Sequence, residues 1–265
     1  MFHADVDGIR IAYRRHGLGR PIVLLHGAIS DSRSWTWMTP LLGGFTVIAW
    51  DAPGYGRSAP ITERWRAAEY ADALAGFLAA IDVERPILVG HSFGSILALA
   101  CLERHPAVAS GLVLIGAYAG WAGSLPPEEV SKRLQAFLAV ADMGDAYDPR
   151  SYPGYFSDLI PADSEAATVA MMRENIRGTS IRVAGRIAAE LDLRAMLPSI
   201  DIPTLVLHGE ADARSPLSAA RAMQGAIPGS DIVILPGLGH ACIVEDPEAC
   251  SAAIRRFVQR VEGTA

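Results

Sequence analysis

Six short apolar runs, at 21–25, 45–50, 86–90, 111–116, 204–208 and 231–235, constrain the fold of this 265-residue chain more than any other feature. They are rich in Val, Ile and Leu and do not alternate with polar residues, the pattern of strands buried on both faces of a parallel sheet. Between them, 66–81, 95–104, 217–226 and 247–261 carry Ala, Leu and Ile at three- and four-residue intervals and read as helices. Strand–helix–strand repetition implies right-handed crossovers and an α/β sandwich. Ahead of this pattern the chain alternates apolar and polar residues around Asp7-Gly8, a hairpin signal that predicts strands at 2–6 and 9–16 and an antiparallel edge. The expectation is an α/β fold on a mostly parallel eight-stranded sheet.

One interval breaks the rhythm. From 121 to 197 there is no convincing buried strand, but there are helical stretches such as 128–140 and 164–176, joined by a Tyr-, Pro- and Asp-rich segment at 147–155. It is too long for an ordinary loop. The reading is a core of residues 1–120 and 198–265 with a helical cap, 121–197, inserted after the sixth strand and lying over one end of the sheet.

Composition narrows the function classes. Hydrophobic residues make up 51% and charged residues 20% of the chain, enough for a large core and too little charge for a disordered one. The net charge of −6 and the scattering of the 23 basic residues argue against a nucleic-acid or anionic-membrane surface. The first residues lack a secretory signal pattern, no run approaches a membrane span, and Cys101, Cys242 and Cys250 form neither a disulfide framework nor a metal-ligand spacing. A cytoplasmic protein acting on a small molecule is the expectation.

The chemistry centres on Gly90-His91-Ser92-Phe93-Gly94, directly after one strand-like run and directly before a helical one. In a G-x-S-x-G elbow the serine sits on a strained strand-to-helix turn, and side chains in place of the flanking glycines would collide with neighbouring backbone. A serine hydroxyl is a poor nucleophile at neutral pH, so it requires a base and an acid that fixes the base. The C-terminal third offers His240, in a loop after the last strand-like run, and Asp212, after the preceding one. Both fall at carboxyl ends of strands, on the sheet edge that carries Ser92, where open α/β sheets place their sites. Glu210 rivals Asp212 for the acid role.

Together with Leu24-Leu25-His26-Gly27-Ala28, Trp50-Asp51-Ala52-Pro53-Gly54-Tyr55-Gly56-Arg57-Ser58, His208-Gly209-Glu210-Ala211-Asp212 and Gly239-His240, the elbow resembles the α/β-hydrolase fold superfamily, in its serine branch with a cap after strand six. The resemblance implies Ser92 as nucleophile, His240 as base, Asp212 in preference to Glu210 as acid, and the backbone N–H groups of Phe93 and Ala28 as oxyanion hole. It implies hydrolysis of a small, largely apolar ester or lactone through an acyl-serine, with no metal or organic cofactor. A carbon–carbon bond hydrolase of ring-cleavage products, a cofactor-free perhydrolase and, more remotely, a non-catalytic small-molecule receptor are the alternatives. Serine at the nucleophile position disfavours the dehalogenase and epoxide-hydrolase branches, where the resemblance requires Asp.

The remaining polar candidates read as structural. His26, His91 and His208 are expected to bond backbone, Asp51 to cap loop N–H groups, and Cys242 to be a buried inert thiol. Trp35, Trp37, Tyr118, Trp121, Phe137, Met143, Tyr147, Tyr152, Tyr155, Phe156, Met171 and Met172 supply apolar surface, of which only a minority is expected to line a pocket.

Overall fold

The computed structural model describes residues 1–263. Its single sheet has eight strands: β1 (Phe2–Val6), β2 (Ile9–His16), β3 (Arg20–Leu25), β4 (Phe45–Trp50), β5 (Ile87–His91), β6 (Gly111–Ile115), β7 (Thr204–Gly209) and β8 (Asp231–Leu235). They lie in the order β1-β2-β4-β3-β5-β6-β7-β8, with β1, β2 and β4 joined antiparallel and every pair from β4 to β8 parallel. Asp7 and Gly8 take φ of 50° and 81°, the two left-handed positions of a type I′ turn, which fixes the register Val6↔Ile9. All residues of β4, β5, β6 and β7 are buried, so the absence of alternation in their sequence reflects cover on both faces. Edge strand β8 starts on an exposed Asp231.

Among the described residues eight α-helices surround the sheet: α1 (Ala67–Ala80), α2 (Phe93–Arg104), α3 (Pro127–Met143), α4 (Ala162–Glu174), α5 (Gly178–Glu190), α6 (Leu217–Ala226), the one-turn α7 (Cys242–Glu245) and α8 (Pro247–Gly263). Helix α2 lies on β3, β5 and β6 and packs against α1, while α6 and α8 lie on β7 and β8. Among the described residues no helix is long and apolar enough to cross a membrane.

Two helices differ from the sequence pattern. Helix α2 begins at Phe93 rather than at 95, because Gly94 is a first-turn residue here: a Cβ on it would lie 2.1 Å from the Leu25 carbonyl oxygen, so glycine is what lets the helix seat on β3. Helix α5 is absent from the helices identified between β6 and β7. Its two glycines and β-branched Thr179, Ile181, Val183 and Ile187 lower its intrinsic propensity, and packing overrides them. It runs against α3 and touches α2, with Ile181, Ala184 and Ala188 buried, and Gly185 brings its backbone close to Phe137.

A Cβ at Gly185 would sit 3.0 Å from the Phe137 Cβ. Gly185→Leu therefore overfills the α3–α5 contact and should cost about 1–3 kcal/mol despite its better helix propensity. A thermal melt checks this, with a clear drop in Tm as the expected result.

Candidate active site

Ser92 is the N-cap of α2 and connects it directly to β5, with φ 52° and ψ −114°, a region that favours glycine. The turn is held by the Ser92 N–H donating to Ile115 on β6 at 2.9 Å, and by the Ser95 N–H and hydroxyl donating to the Ser92 carbonyl at 2.9 and 2.5 Å. A Cβ on Gly90 would lie 2.5 Å from the Gly94 carbonyl oxygen, so both glycines of the motif are steric requirements, as the sequence indicates. Phe93 is the first residue of α2, where a backbone N–H has no partner within the helix. Gly27, at the end of β3, packs beside the elbow: its Cβ position is 3.5 Å from the Ser92 Cβ. Gly27, Ala28, Ser92, Phe93 and His240 all line one narrow cleft.

His240 follows β8 and precedes α7. Its Nδ1 donates to Asp212 Oδ2 at 2.8 Å, and the two side chains are 2% and 0% exposed, so the pair is out of water. The other Asp212 oxygen accepts from the Arg214 and Ser215 N–H groups at 2.8 and 2.7 Å. Burial pushes the Asp212 carboxyl up, but His240 and the Ser215 N–H outweigh it, and the net direction is below the usual carboxylate range. Gly116, at φ 52°, allows the end of β6 to abut the pair, its Cβ position lying 3.1 Å from His240 Nδ1 and 3.2 Å from Asp212 Oδ2. Glu210 is exposed and accepts the Gly237 N–H at 3.1 Å, away from the histidine. Asp212 and His240 are thus joined directly, whereas Ser92 meets His240 across the cleft: among the described residues its hydroxyl has no hydrogen-bond partner. Such bonds often close only when substrate is bound.

Of the three other histidines of the motifs, His26 and His91 bond backbone as expected, whereas His208 is buried with neither ring nitrogen hydrogen-bonded among the described residues. His26 Nε2 accepts the Ala52 N–H at 3.0 Å, which leaves Nδ1 to donate to Gly27 O at 2.8 Å. His91 donates Nε2–H to the His240 carbonyl at 2.8 Å, anchoring the histidine loop to the elbow. His208 is buried at the end of β7. Asp51 accepts the Ser32 and Arg57 N–H groups, both at 2.9 Å. Cys242 is buried and its carbonyl accepts the Cys250 thiol at 3.3 Å, while a side-chain hydrogen bond with Cys250, and then burial, raise its own thiol well above the usual range. Of the aromatic and Met candidates, Tyr118, Trp121, Phe137, Tyr152 and Tyr155 reach the cleft, while Trp37 is exposed and Trp35 is buried edge-on to His91.

Two residues with a role at the site carry no sequence signature of it. Buried Glu245 accepts the Gly239 N–H at 2.6 Å and the Ser157 N–H at 2.7 Å, tying the histidine loop to the segment above it. Arg214 lines the cleft with its guanidinium 4.0 Å over the Tyr152 ring. Among the described residues no group of three or more His, Cys, Asp or Glu side chains is placed to hold a metal ion.

Against this geometry, the sequence profile of the alpha/beta hydrolase family matches residues 22–253. The putative carbamate hydrolase RutD of a Caulobacter species is 29% identical over 97% of this chain and 98% of its own length. A non-heme haloperoxidase of Rhodococcus erythropolis is 28% identical over 96% and 97%. Among solved structures, the esterase RhEst1 of a Rhodococcus species is 29% identical over 98% of each chain, with a TM-score of 0.76.

Burial, and then the neighbouring His240, lower His91 from an ordinary 6.5 to about 3. Between those values the unfolded chain binds a proton that the folded chain excludes, so stability rises with pH across this window and is lost on acidification. For one such group the loss from pH 7 to pH 5 is about 2 kcal/mol. Urea denaturation of wild type and His91→Gln at the two pH values checks this: the acid loss should be smaller in the variant.

Proposed function

The chain belongs to the alpha/beta hydrolase family, and from that premise we propose that it is a serine hydrolase cleaving a small, largely apolar ester or lactone through an acyl-serine intermediate. The observation that carries the reading is the buried Asp212–His240 hydrogen bond at 2.8 Å, opening on the cleft where a positive-φ serine caps α2. Because Nδ1 donates to Asp212, the free lone pair of His240 is on Nε2. As the Ser92 oxygen bonds to the substrate carbonyl carbon, its proton passes to Nε2, and the imidazolium is stabilised by Asp212. The N–H groups of Phe93 and Ala28 receive the developing oxyanion, an interaction worth about 2.7–4 kcal/mol for one donor in a protease. Collapse breaks the carbon–oxygen bond of the ester, and Nε2 gives its proton to the departing alcohol. Water then adds to the acyl-serine with Nε2 as base, releasing the acid and restoring the serine.

Residues 121–197 act in this reading as a cap that shapes the acyl pocket, since Trp121, Phe137, Tyr152 and Tyr155 all lie within that range. The sequence likeness to a haloperoxidase supports a second outcome for the same intermediate, its interception by hydrogen peroxide to give a peracid. Adding peroxide to the ester assay and measuring peracid against free acid separates the two.

Ser92→Ala should abolish turnover of a short-chain p-nitrophenyl ester while leaving the fold intact by circular dichroism; retained turnover overturns the nucleophile. Asp212→Asn should lower kcat at least about 10²-fold, because an amide can select the wrong histidine tautomer, a change that cost about 10⁴ in a protease. Glu210→Gln should change the rate less than about tenfold. The reverse ranking, measured on one ester at one pH, would move the acid to Glu210.

A further inference from the structure

The cleft contains a cation that hydrolysis of a neutral ester does not use. Arg214, two residues after Asp212, is half-buried and contributes to the lining of two cavities at once. One is the cleft with Ser92 and His240; the other is an apolar groove between α3 and the loop 147–153, floored by Phe137, Val140, Tyr147 and Tyr152. Phe137, Tyr152 and Arg214 are common to both.

The backbone of Arg214 is fixed from both sides. Its N–H donates to Asp212, and its carbonyl accepts from the Tyr118 hydroxyl and from Arg133 Nη1, the latter at 2.7 Å. Arg133 is itself neutralised by Glu129 at 2.7 Å. The Arg214 guanidinium is fixed as well, stacked on Tyr152 and donating through Nη1 to Pro153 O at 3.0 Å. Yet among the described residues no carboxylate pairs with it, in a chain where Arg33, Arg104, Arg133, Arg150, Arg173, Arg182, Arg194 and Arg260 all have acidic partners. A half-buried, immobilised guanidinium with free donors is suited to a planar bidentate anion.

We propose that Arg214 is a specificity-determining residue that binds a carboxylate on the substrate, so that the preferred substrates are esters or lactones carrying a second, free acid group on an apolar chain. The proposal rests on the hydrolase reading for its chemistry but not for its binding site. Lys132, also on the groove, is the further cation there, since Arg133 is paired with Glu129.

The test compares p-nitrophenyl hydrogen glutarate with p-nitrophenyl butyrate, an anionic and a neutral ester of similar length. Wild type should favour the anionic ester in kcat/KM, and Arg214→Met should lower that preference ten- to a hundredfold, the range for a charged hydrogen bond. Arg214→Lys, keeping the charge without the fork, should fall between. An unchanged preference, or an equal loss on both esters, overturns the proposal, because a merely structural Arg214 would affect both alike. A second measurement does not depend on turnover: calorimetric binding of monomethyl glutarate to Ser92→Ala and to the Ser92→Ala/Arg214→Met double variant. Binding lost only in the double variant supports the anion site even if wild type hydrolyses neither ester, which would overturn the hydrolase reading alone. Equal binding in both, or binding in neither, removes the site.

Discussion

The strained turn at Ser92 sets the geometry on which the rest of the site depends. A side-chain-bearing residue at φ 52° and ψ −114° costs of order 1–3 kcal/mol, and it persists only where the surroundings over-determine it. Here they do so from three directions. The serine N–H is tied to β6, its carbonyl to Ser95, and α2 is pressed onto β3 where Gly94 meets Leu25. The strain is offset by a core that runs through every central strand. The outcome is a hydroxyl lifted off the sheet at the start of a helix, with an unpaired N–H group beside it.

The histidine depends on that same turn. His91, inside the elbow, holds the carbonyl of His240, while Glu245 holds the N–H of Gly239, so the loop bearing the imidazole is gripped on both sides of one residue. Asp212 then orients the ring from the end of β7, and its second oxygen is saturated by two backbone N–H groups, which keeps it an acceptor. Ser92 and the His240 imidazole are positioned by different strands, yet a single side chain, His91, links their supports.

What was legible in the sequence follows from the range of each interaction. The elbow, the hairpin and the buried strands are local matters of glycine placement and uninterrupted Val, Ile and Leu, so Gly90, Gly94, Asp7-Gly8 and β4–β7 could be read directly. Order along the chain also placed Asp212 and His240 on one edge, because both follow strands of a parallel sheet. Helix α5 was not legible, since its glycines and branched residues fit a helix only against Phe137, more than forty positions away. Glu245 and Arg214 were hidden for the same reason. Their partners, Ser157 and Tyr152, come from a segment whose path over the sheet has no periodic signature, and a lone Glu or Arg in a polar loop looks like any solvated charge.

The close approach at Gly185 has an effect beyond stability. Phe137, which the missing side chain allows to settle against α5, is also a wall of the cleft and stands edge-on to Trp121 at 5.1 Å between ring centroids. Gly185 itself does not line the cleft, so the distance between two helices acts as a gauge for the chamber beside Ser92. The width of that chamber is thereby adjustable from the rear. Drift at that hidden position can re-bore the chamber while every residue that lines it keeps its identity.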